Sequence, residues 1–159
     1  MALAKQAGVT FPEDVQVFWV KPSQLHNTEG AQAEYSVLQA NLGDGRIGNA
    51  ANLAPNDLVT WESFQNKAGM VPVRISTDLL GSDEAAIAHL AHLAHESHEL
   101  NGLYNSLEVQ GNLMTYSDLN RLVRPVASET GVPLGGVANN LHESAWTYAD
   151  QVILNWRGH

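Results

Sequence analysis

Two spacings of apolar and polar positions divide this chain. Val15 to Val20, VQVFWV, alternates with period two between Pro12 and Pro22 and is rich in β-branched and aromatic residues. That pattern predicts a strand, placed at the centre of a small sheet. Val71 to Ser76, VPVRIS, is the second predicted strand. From residue 83 the spacing becomes helical, with Ala86, Ile87, Leu90, Leu93 and Ala94 gathered on one side as a core stripe. Ser82 stands as N-cap before Asp83 and Glu84, which meet the positive end of the helix dipole, and Gly102 stands where a helix would end. The expected helix runs over 83–101.

Weaker patterns fill the rest. A short helix is expected after Asp57 in LVTWESFQNKAG, and a short helix or extended segment within Gly30 to Leu42. Thr115 or Ser117 caps another short helix that must stop near Pro125. Leu141, Ala145, Ala149, Val152 and Trp156 lie near helical spacing and predict a C-terminal helix over 140–156, capped at Asn139 or Asn140. The stretches 43–57 and 129–140 read as loops by their Gly, Asn, Asp and Pro content. Together these elements make an α+β fold, a small mixed sheet packed with several helices.

Composition narrows the function classes. The 159 residues, 44% hydrophobic and 16% charged, suit one globular domain, 1–159, with a core of its own. Seventeen acidic residues against eight basic ones give a formal charge of −9, which repels phosphate backbones and suits a cationic partner. No cysteine is present, so disulfides, thiolate zinc sites, cysteine nucleophiles and the two-cysteine zinc deaminase pattern are excluded. No apolar run reaches the length of a membrane span.

The chemistry is concentrated in AHLAHLAHESHEL. His89, His92, His95 and His98 recur every third residue and run into Glu96 and Glu99. On a helical wheel His92, His95, Glu96 and Glu99 share an arc of about 100°. A polar arc opposite an apolar stripe is the ordinary pattern of a solvated surface helix. Two features set this one apart: alanines and Leu103 interleave it, and no lysine or arginine on the helix pairs with its glutamates. His95 and Glu99, at i and i+4, meet above one turn and could bind one divalent ion. His92 is a spare ligand on the same arc, and Glu96 is placed to act as base on a water. His142, at the start of the C-terminal helix, is held toward its neutral form by the helix dipole and is a further base or ligand. The two helices are expected to bring His142, with Glu143 or Asp150, against the His/Glu arc. Arg74, in the strand before the helix, either snorkels or pairs with a carboxylate, and with Asp150 is a candidate substrate-binding residue.

The strand VPVRIS followed by AHLAHESHEL resembles the strand-then-helix core of zincin-type metallopeptidases, with Glu99 where their second histidine belongs. Over residues 70–155 the chain is similar to C-terminal effector modules of Rhs/YD-repeat polymorphic bacterial toxins. The likeness is carried by Leu-Ala-His-Glu-x-x-Glu-Leu at 93–100 and Asn-Leu-His-x-x-Ala-Trp-x-x-Ala-Asp at 140–150. It implies a toxin domain cut from a longer secreted or delivered parent, with a cognate immunity protein as partner. The expected activity is a metal-dependent hydrolase, protease-like, with His92, His95 and Glu99 as zinc or manganese ligands and Glu96 and His142 as catalytic groups. Two other readings stand beside it. One is a nuclease, which needs Arg74, Arg121 and Arg124 to cluster. The other is an acidic binding or immunity module, which needs an exposed His/Glu stripe.

Overall fold

The computed structural model describes residues 2–25, 32–35, 37, 39–41, 47–49, 53–79, 83–123 and 141–157. After a short helix α1 (Ala2–Gln6), strand β1 (Val15–Val20) forms where the alternation predicts it. Two short strands, β2 (Ala33–Glu34) and β3 (Gln39–Asn41), realise the extended alternative for the described part of Gly30 to Leu42. They are followed by β4 (Ile47–Asn49) and β5 (Leu58–Val59). The helix expected after Asp57 is instead β5 and a single 3₁₀ turn, Trp61–Phe64. Its apolar residues are buried by a sheet partner rather than by a helix face: Leu58 pairs with both Asn41 and Thr115.

Strand β6 (Val71–Ser76), not β1, is central to the three-stranded mixed sheet, whose order is β1-β6-β2. β1 runs parallel to β6 with Val15 opposite Val71, and β2 runs antiparallel to it with Glu34 opposite Arg74. Pro72 fits this central strand because β2 is too short to need its missing N–H. Val71 donates toward β1, to the Asp14 carbonyl, and Ser76 donates toward the β2 side, to the Gln32 carbonyl. By alternation Pro72 faces the β2 side, but β2 reaches only Ile75 and Arg74. A second, antiparallel sheet has the order β4-β3-β5-β7, with β7 at Met114–Thr115.

Three helices complete the described fold. α2 (Asp83–Val109) outruns its expected end by two turns, because Gly102 is not a cap. A side chain at Gly102 would collide with Leu141, so this glycine lets another helix approach closely. The true stop is Gly111, at φ 71°, where Asn112 donates to the Leu107 carbonyl and Gly111 to that of Glu108 in a Schellman closure. α3 (Tyr116–Val123) starts as its sequence indicates, the Thr115 hydroxyl accepting from the Asp118 N–H at 3.1 Å. α4 (Leu141–Arg157) agrees with the predicted C-terminal helix to one residue. The expected caps Ser82, Asn139 and Asn140 and the loop 129–140 lie outside the described residues.

One buried cluster joins Val71, Val73 and Ile75 of β6 to Leu90, Leu93, Leu100, Leu103 and Leu107 of α2 and to Ala149 and Val152 of α4. α4 packs along α2 in the opposite direction, since Leu141 meets Gly102 while Trp146 meets His92 and His95. α2 therefore has the sheet on one side and a helix on another. Its sequence shows almost no net amphipathicity, as expected of a helix covered on several sides. Among the described residues no helix is long and apolar enough to cross a membrane.

Candidate metal centre

Three of the four residues of the arc read as polar are buried, and the fourth, His92, is partly so. His95 is 3% exposed and Glu96 and Glu99 are each 4% exposed, as far from water as residues of the apolar core. Helical spacing brings the three together: Glu96 Oε1 lies 3.4 Å and Glu99 Oε2 3.8 Å from the same ring nitrogen, His95 Nδ1. One ligand atom from each falls within 4.8 Å of the other two. Oxygen and nitrogen donors at about 2.1 Å from a metal stand at most about 4.2 Å apart, so small rotations would close this set on an ion. Two carboxylates and one imidazole form a donor set that could hold a metal ion.

Among the described side chains the other expected residues do not join the trio. His92 stands outside it, its ring edge-on to Trp146 at 5.3 Å. Burial, reinforced by His95 and His89, lowers the His92 pKa to about 4, so this ring is neutral at pH 7. Trp146 also tilts over His95 at 4.1 Å while remaining 38% exposed, which makes it the partly open cover of the centre on the α4 side. His142 opens α4 as expected, but its side chain lies outside the described residues. Glu143 and Asp150 are exposed on α4. Arg74 is committed elsewhere: its Nε lies 3.2 Å from Glu34 Oε1, directly across the β6–β2 ladder.

Two participants were not singled out from sequence. Ser144 Oγ lies 3.1 Å from His98 Nε2, and Tyr148 stacks on the same ring at 5.1 Å. Both help seat α4 on α2, and burial lowers the His98 pKa despite the opposing pull of Glu99. Trp19 stacks on His89 at 4.7 Å, tying β1 to α2, and burial lowers the His89 pKa as well. The i, i+4 spacing of Ser144 and Tyr148 was legible, but their partners lie 46 or more positions away in sequence. Comparison of the chain with protein-family models, curated proteins and solved structures finds no match in any of the three.

Proposed function

We propose that this chain is a metal-dependent hydrolase, centred on His95, Glu96 and Glu99. The observation that carries the reading is the burial of two carboxylates and an imidazole around one small volume. A bound zinc or manganese ion would supply Lewis acidity there, and His95 with Glu99 would hold it. Glu96, one residue after the ligand His95, holds or accepts a proton at its carboxylate oxygens. Trp146 covers the imidazole and excludes bulk water from one side. Neutral His92 stands next to this pair without adding positive charge. The role as an effector or toxin domain, with a protein substrate and an immunity partner, rests on the resemblance of residues 70–155 to Rhs/YD-repeat modules.

The two competing readings have less to support them. A binding module would present the His/Glu stripe to solvent, and His89, His95, Glu96 and Glu99 of that stripe are buried. A nuclease would gather its arginines, but Arg74 is paired with Glu34 inside the sheet while Arg121 is 72% exposed on α3. Arg124 lies outside the described residues.

The test is elemental analysis and calorimetric titration of zinc and manganese into the full chain, into His95→Ala and into Glu96→Gln, alongside hydrolysis of a mixed peptide library. Stoichiometric binding that His95→Ala abolishes is the expected result. If Glu96→Gln keeps the ion but loses hydrolysis, Glu96 is the base; if it loses the ion, Glu96 is the third ligand. Absence of binding by the wild-type chain at neutral pH overturns the metal reading.

A further inference from the structure

On the face of α2 turned away from the metal centre, the structure has an open cleft of about 360 Å³, within the size range of small-ligand sites. Tyr104 and Glu108 enter it from α2 at i and i+4, and Trp61, Glu62 and Gln65 enter it from the 3₁₀ turn opposite. Tyr104 lies about 140° round the helix from Glu99, so the two sites share an element and no side chain.

The cleft walls are held in place. Trp61 is buried, its ring standing edge-on to Tyr104 at 5.1 Å and tilted against Phe64 at 5.8 Å. Asn112 Oδ1 accepts from the Trp61 backbone N–H at 3.3 Å, which ties the turn to the Schellman closure at the end of α2. Gln65 is held by Asp14, Nε2 to Oδ2 at 3.3 Å. By contrast Tyr104 remains 41% exposed, an aromatic residue left open beside two carboxylates.

Its electrostatics are one-sided. Among the described residues Glu62 and Glu108 are the charged groups of the lining, and none of that lining is basic. Glu108 stands in the last turn of α2, at the negative pole of a 27-residue helix, and no basic residue in that turn offsets it. An acidic side chain at that pole is unfavourable by itself and favourable beside a cation. Aromatic faces flanked by carboxylates attract organic cations through the ring quadrupole and direct charge together. The chain's −9 charge adds a long-range pull of the same sign.

We infer that the cleft between Trp61, Tyr104, Glu62 and Glu108 is a binding site for an organic cation, an alkylammonium or guanidinium group lying against Tyr104 with its charge between the two glutamates. The group comes either from a free aliphatic amine or from a lysine or arginine side chain of a partner protein. This is a second site, independent of the metal centre and of the hydrolase reading.

The test is calorimetric titration of the full chain with 1,5-diaminopentane, Nα-acetyl-lysinamide and Nα-acetyl-argininamide, at physiological salt and with EDTA present. The Trp61 indole and Tyr104 ring resonances are followed by NMR in parallel. Saturable binding of a cation that moves both rings is expected, weakened about tenfold or more in the Glu62→Gln/Glu108→Gln double variant. Tighter binding of the diamine points to a free amine, and tighter binding of either amino-acid amide points to a protein side chain. The proposal is overturned if no cation saturates, if uncharged 1,5-pentanediol binds equally well, or if the double variant, folded by its unchanged melting temperature, binds as the wild type does. None of these results bears on zinc or manganese binding at His95.

Discussion

Two groups of charged residues on neighbouring helices show how differently the same chemistry can be used. On α3, Asp118 and Arg121 are one turn apart at 3.8 Å, 50% and 72% exposed. On α2, Glu96 and Glu99 lie at nearly the same separations from His95, but almost wholly out of water. Water screens the first pair and makes its geometry optional, since exposed pairs of this kind contribute at most about 1 kcal/mol. Removing the second group from water is expensive unless its charges are matched, and its three ligand atoms lie close enough together to share a metal ion. Burial, not residue type or spacing, is what marks one group as a candidate site and the other as surface.

The comparison can be broken most decisively by making the same carboxylate-to-amide change in both places. With zinc at a hundred to a thousand times its Kd, wild-type stability should rise by about 3–4 kcal/mol, and Glu99→Gln should abolish that gain. In EDTA the zinc-dependent difference between the two proteins should vanish. Urea melts with and without zinc decide it: equal metal stabilisation in wild type and Glu99→Gln would remove Glu99 from the centre.

A smaller effect concerns the neutral ring beside the site. The folded-state pKa of His92 is depressed to about 4 from 6.5. Above pH 6.5 the ring is neutral in both states and adds no pH dependence. Between about 6.5 and 4 the unfolded chain binds a proton that the folded chain does not, so stability falls as pH falls through this window and levels off below it. Discounted for the ring's partial exposure, the loss should be about 1–2 kcal/mol, and His92→Gln should remove it. Melting temperatures of the two proteins in EDTA between pH 7 and 4 test this. Parallel curves would mean that His92 charges freely in the folded state.

The smallest change should come from α3. Asp118→Asn should shift stability by less than about 0.5 kcal/mol and leave zinc stabilisation untouched. A loss comparable to that of Glu99→Gln would show that exposure is a poor guide to which charges matter in this molecule.

Much of the secondary structure was legible because each element carries its own period. β1 and β6 follow from alternation, α3 from the Thr115 cap, and α4 from apolar residues at helical spacing. The misreadings have a common origin in contacts made by distant residues. Gly102 has the identity of a helix terminator, yet it stands where Leu141 must come close, and the chain continues helically through it. β1 reads as central because it is apolar, but only pairing can decide which strand has two neighbours, and that strand is β6. Leu58 and Val59 suit a helix as well as a strand until Asn41, Met114 and Thr115 are placed beside them.

The same division governs the candidate site. By itself the sequence determined the α+β composition of elements, the absence of thiol chemistry, and the placing of His95, Glu96 and Glu99 within one turn of one helix. A helical repeat fixes which side chains are neighbours, whatever surrounds them. Only the tertiary structure decided that this turn is covered, that Trp146 rather than solvent lies over His95, and that Arg74 is held by Glu34. It also brought Trp61 beside Tyr104, 43 positions apart, to form the acidic cleft. Periodicity states which residues share a face; it carries no information about what packs on that face, and the energy of a buried charge depends on that packing.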